Sequence, residues 1–237
     1  MVILRALSLI LMVAMLNGCD ASDFGNSRSS SAKEIFDTLS GVGVLSAISY
    51  DSLTDQVLDS DAVVIGHFVD VSFGGAIYFD DDSGTSIEHI VATLRVEDVI
   101  YASQFVSVVV GSDLQIVLPK APTNSIQSIQ SKLVNNVPGV HSLFEVVNDG
   151  RRSNTDYFRQ FEGTWIYQAP SLTVIKSEDG SAVTGSHLIF ERLGSEPEYT
   201  DVVAEFKEEA EMIARNEWGQ PDDVIGLQPS SADVSVP

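Results

Sequence analysis

The run "EHIVATLRVEDV", Glu88 to Val99, alternates: Ile90, Ala92, Leu94 and Val96 fall on one side, His89, Thr93, Arg95 and Glu97 on the other. A period of two belongs to a strand that buries one face and wets the other. The chain must therefore build a sheet. "AVVIGHFVDV", Ala62 to Val71, is dense in β-branched and aromatic residues, and further strand candidates follow at Phe105–Val110, "DLQIVLP", "HSLFEVV", "TWIYQ", "SLTVIKS" and "SHLIFERL". Turn signals "DDDSG", "VGSD", "NDG" and "EDGS" separate them.

Helical patterns are fewer. "AKEIFDTLSG" closes on Gly41, and Ser52 opens "SLTDQVLDSD" with Asp55 in the first turn, where a carboxylate favours the helix N-terminus. "SIQSIQSKLVNN" reads as a short polar helix ended by Pro138-Gly139. Thr200 caps a last helix in which Val202, Phe206, Ala210 and Ile213 share a face, with Glu205, Glu208, Glu209 and Glu211 mainly toward solvent. Glu211 and Arg215 are spaced for an i,i+4 pair. The expected fold is mainly β: a small closed antiparallel barrel with short N-terminal helices and an appended C-terminal amphipathic helix.

With 237 residues and 44% hydrophobic content, the chain suits one moderate domain with appendages and a real core. Thirteen basic against 34 acidic side chains give a formal charge of −21. Polyanion binding runs on Lys and Arg contacts that release counterions, so nucleic acid is not an expected partner. Anionic lipid headgroups would repel the body as well.

The only cysteine, Cys19, follows an apolar run, Ala6 to Leu16, behind a single positive charge at Arg5. Such a run has the length of a secretory core rather than the roughly 20 residues of a membrane span. Leu16, Asn17, Gly18 and Cys19 resemble the lipobox of bacterial lipoproteins, with Asn17 a less usual member. The resemblance implies cleavage after Gly18, a diacylglyceryl group on the Cys19 sulfur and acylation of the new amino group. Two or more acyl chains make a stable anchor where one is marginal. The expected division is then 1–18 signal peptide, 19–32 lipidated cysteine and Ser-rich tether, 33–200 β domain, 201–219 helix and 220–237 disordered tail. The chain is expected to be exported and lipid-anchored to a bacterial membrane, inner or outer being open, and it has no second cysteine for an internal disulfide.

"SLTDQVLDSDAVVIGHFVDV", an acidic loop, "ATLRVEDVIYA" and "GSDLQIVLP" resemble, over about Ser52 to Pro119, the OB-type barrel of netrin and TIMP-like modules. The chain departs from that family in lacking its disulfide framework. A lipidated Cys19 also has no free N-terminal cysteine with which to chelate a protease metal, so protease inhibition is not implied.

Candidate chemistry is sparse. His67, His89, His141 and His187 sit in expected strands or at their edges, with no metal-ligand spacing, although His67 and His89 could meet on neighbouring strands. Asp80, Asp82 and Glu88, together with Asp81, offer carboxylate oxygens suited to Ca²⁺, but they miss the EF-hand spacing and suit a solvated hairpin loop better. Arg151, Arg152, Tyr157 and Arg159 gather in "GRRSNTDYFRQFEGTWIYQ", a composition used at partner interfaces and equally that of a loop entering an aromatic core strand. No local catalytic signature or cofactor motif is present. The functional expectation is a non-catalytic binding or interaction module at the cell envelope with an envelope protein partner. A hydrolase with a site assembled in space, or a Ca²⁺-dependent adhesion or sensing component, stays open.

Overall fold

The structure, a computed structural model, describes residues 30–41, 50–78, 86–134, 136–146, 161, 163–168 and 172–218. Its elements are α1 (Ser30–Gly41), α2 (Leu53–Leu58), β1 (Ala62–Tyr78), β2 (Ser86–Ala102), β3 (Asp113–Pro119), α3 (Ile126–Leu133), β4 (Gly139–Val146), β5 (Thr164–Tyr167), β6 (Val174–Lys176), β7 (Ala182–Thr184), α4 (His187–Leu193) and α5 (Tyr199–Trp218). The fold is mainly β, a seven-stranded mixed sheet in the order β1-β2-β3-β5-β4-β6-β7.

β1 also pairs with β4, through Ala62–Gly66 against Leu143–Gly139, so the pairings of five strands return to their start. An odd cycle cannot be antiparallel throughout, because direction must flip at every step. One pair breaks the rule: β3 and β5 run parallel, with Ile116 opposite Trp165, which corrects the expectation of an antiparallel sheet. β1 serves two partners by bending at register shifts after Val63, Ile65, Phe68 and Phe73, the local kinks that extra residues create. Gly66 and Gly139 face each other at the end of the β1–β4 seam. A Cβ on Gly66 would collide with the Arg95 carbonyl oxygen, and one on Gly139 would lie 2.7 Å from Ile175 Cδ1. Only glycine fits there.

The alternation read in β2 holds on its inner face: Ile90, Ala92 and Leu94 are fully buried and Val96 nearly so. They meet Ile116, Leu118, Leu143 and Trp165 from the other strands, while Ile35 and Leu39 of α1 and Ile129 and Leu133 of α3 join the same core. A second core lies outside the strand cycle, where Val63, Val140 and Val174 receive α2 (Leu53, Val57), α4 (Leu188, Ile189) and α5 (Val202, Phe206, Ile213). Burial on both faces explains why "AVVIG" is apolar without interruption.

Several expectations change. Phe105–Val110 is a loop, since β2 pairs with β3 only through Arg95–Asp113 and the chain beyond has no strand to join. "SHLIFERL" is helical, as α4, because a short apolar run suits either state and packing of Leu188 and Ile189 decides it. β7 was not expected, and "SLTVIKS" supplies only the three residues of β6. The expected boundary at residue 33 falls inside α1, and the last helix begins at Tyr199, ahead of Thr200. Ser52 caps α2 as read, its hydroxyl accepting from the Asp55 N–H at 3.1 Å.

Candidate functional site

Past Arg95, β2 continues to Ala102 without β3 beside it. α5 occupies that flank. Its apolar stripe is held by Val202, Phe206 and Ile213, all buried, and Lys207 reaches back to Asp98 at 2.7 Å. Glu209, expected on the wet side, is 1% exposed: it accepts from Thr54 Oγ1 of α2 and pairs with Arg192 of α4 at 2.6 Å. A carboxylate enters such a position only with partners that replace its water.

Between β2 and α5 lies an open groove of 570 Å³ with Val99, Tyr101 and Gln104 on the strand side and Lys207, Ala210 and Ala214 on the helix side. The small side chains of Ala210 and Ala214 leave the space. That volume is in the range of small ligand sites, and Gln104 lines it with an amide able to hydrogen-bond. Its charges are internally matched. The Lys207 ammonium, donating to Asp98, holds that carboxyl below its usual range, and Glu211 stands 3.8 Å from Arg215, the i,i+4 pair read from the sequence.

The four histidines stand apart from this groove. His67 and His89 do not meet: His67 lies opposite Arg95 and His89 opposite Gly75, a difference of six β2 positions, about 20 Å along a strand. His67 Nδ1 is 2.7 Å from Glu97 Oε1 at the surface. His89 belongs to the face expected to be wet yet is fully buried, with the Phe161 ring covering it at 5.2 Å, and burial lowers its pKa. His141, 1% exposed, sits within 3.0 Å of the Tyr167 hydroxyl and against the edge of Phe68. Burial outweighs a hydrogen bond to the Gly66 backbone and pulls His141 down to about 4, while burial pushes Tyr167 up. His187 opens α4 and is exposed.

Other residues singled out in the sequence fall as follows. Glu88 is exposed and paired with Lys120 at 2.6 Å, while Asp80, Asp81 and Asp82 lie outside the described residues. Among the described residues no three His, Cys, Asp or Glu side chains are grouped to hold a metal. Gly18, Cys19, Arg151, Arg152, Tyr157 and Arg159 are likewise outside them, but Phe161, Trp165 and Tyr167 from the same aromatic stretch are core residues. No described helix is long and apolar enough to cross a membrane. Sequence reasoning missed the groove; its one local signal is the paired alanines at i,i+4 on the face beside Phe206. No protein-family model, curated protein or solved structure matches the chain.

Proposed function

We propose that the chain is an exported lipoprotein, anchored through Cys19, whose OB-type module binds an envelope protein in the β2–α5 groove without chemistry of its own. The groove carries the reading: an open trough of 570 Å³ with a mixed polar and apolar lining and matched charges suits the capture of a partner's side chains. The cycle of five strands, with α3 inserted between β3 and β4, supports the OB-type assignment and the likeness to netrin and TIMP-like modules. Leu16 to Cys19 support the anchor.

The test places a photo-cross-linking residue at Ala214, in the groove wall, and at Ser131 of α3 as a control, in cells. One envelope protein captured in stoichiometric yield from position 214 and not from 131 is the expected result. Equal background from both positions would sink the groove as the binding surface. Intact mass of the native protein tests the anchor separately, and an unmodified Cys19 would remove it. A Cys19→Ala form should lose the cross-link, because the partner then lies in another compartment or membrane.

A further inference from the structure

Eight large apolar side chains stand out among the exposed described residues, and the three most exposed share one short loop: Phe105 at 63%, Val109 at 62% and Val110 at 57%. That loop joins β2 to β3 and is held firmly. The Ser103 N–H donates to the Asp61 carbonyl at 2.8 Å, Gly111 and Val96 pair at 2.8 Å, and Ser112 pairs with Val109 at 3.0 Å. Val106 and Val108 pack against the inner core, so the outward display of their neighbours follows from a fixed backbone. Sustained exposure of a concentrated apolar tip marks a contact surface.

Charge narrows the kind of contact. From Tyr101 to Ser112 no side chain is charged, in a chain of formal charge −21. The nearest flanking acids are neutralised, Asp98 by Lys207 at 2.7 Å and Asp113 by Arg95 at 3.0 Å. An acidic body near a membrane meets repulsion from anionic headgroups, and this patch is where that repulsion is absent. Resting on the anchored reading above, we propose that the Phe105–Val110 loop is a bilayer-contact site that dips into the interfacial layer of the membrane holding the anchor. The geometry permits it. The loop lies at the end of the strand cycle opposite α3, on which α1 packs. The seven residues of β3 separate the two ends by about 23 Å, whereas the eleven steps from Cys19 to Ser30 reach up to about 40 Å. The loop and the anchor can therefore engage one bilayer together, which sets the neighbouring groove beside the lipid surface.

The test uses the full chain with Cys19→Ser, which has no other cysteine, carrying Val109→Cys or, at exposed Ser131 of α3, Ser131→Cys, each labelled with the environment-sensitive dye NBD. The N-terminal apolar run holds the chain to phosphatidylcholine vesicles, and flotation reads that attachment by itself. The expected result is a several-fold rise in NBD emission at 109, quenched by doxyl-labelled lipid, with position 131 unchanged. Adding Val110→Asp should abolish the rise while flotation persists. A chain that floats with position 109 as wet as 131 overturns the loop inference alone, and points to a protein surface as the loop's occupant. A protein that does not float overturns the loop contact, since neither the loop nor the N-terminal run then holds it to the bilayer, while the Cys19 anchor is judged separately by intact mass.

Discussion

The two cores of this molecule are assembled by different means. Inside the strand cycle, Leu94, Ile116, Leu118, Leu143 and Trp165 meet by apolar contact, and His141 with Tyr167 forms a buried polar pair among them. Outside it, directional groups hold α2 and its flanks, both to the strand layer and to each other. Gln56 donates to Ser142 at 2.9 Å, Ser60 to the Gln168 side chain at 2.9 Å, Gln168 to the Gln56 carbonyl at 3.1 Å, and Tyr50 to Asp59 at 2.7 Å. Strands are already oriented by their ladders, so inward side chains need only fill volume. A helix laid on a sheet has no such ladder, and buried hydrogen bonds set its position at a cost if one partner is lost.

That contrast is open to test, most strongly by core truncation. Phe206→Ala, in the outer core, should cost about 4 kcal/mol, and Leu94→Ala, in the inner core, about 3 kcal/mol. Denaturant unfolding read with hydrogen exchange should show α5 amides exposed first in the Phe206 variant and all strands together in the Leu94 variant. If both variants open every element at once, the two layers are one cooperative unit and the distinction fails.

Acid probes the inner core most directly, through His141. His141 is neutral when folded down to about pH 4 but takes up a proton near 6.5 when unfolded. Its contribution is complete above pH 6.5 and is lost as pH falls toward 4, with a slope near 1.4 kcal/mol per pH unit and about 3 kcal/mol in total. His89, also lowered by burial, acts in the same direction. Chemical denaturation at pH 7 and 4.5 checks it: His141→Phe should flatten the fall, and an unchanged slope would remove the assignment to His141.

Smaller effects test the outer stitching. Glu209→Gln keeps the shape but removes the charge that meets Arg192 and leaves one carbonyl oxygen where two carboxylate oxygens served Arg192 and Thr54, and should cost about 2 kcal/mol. Thermal melts in low and high salt check it; a loss confined to low salt would mean the pair acts as a surface one. Ser52→Ala removes the cap of α2 and should cost about 1 kcal/mol, with no effect on the acid slope set by His141 and His89.

Much of the local structure was legible in both layers. The period of β2, the span of β3, the cap at Ser52 and the apolar stripe of α5 are local patterns, each visible within a turn or a few residues. The misreadings share a cause. "SHLIFERL" and Phe105–Val110 have the right residues for strands, yet contacts distant in the chain decide: Phe105–Val110 pairs with no strand among the described residues, and "SHLIFERL" buries Leu188 and Ile189 as a helix. His89 has the alternation of a wet residue but lies under Phe161, 72 positions later in the chain.

By itself the sequence determined the mainly β character, the acidic surface and the elements' periodic faces, because period, charge and capping are properties of neighbours along the chain. Tertiary structure alone decided the parallel β3–β5 pair, which follows from closing five strands on themselves. It also decided the burial of Glu209 and the groove beside Ala210 and Ala214. Those depend on contacts such as Thr54 with Glu209, 155 residues apart, and Gln56 with Ser142, 86 apart. No local pattern encodes such meetings; the shape of the packed chain does.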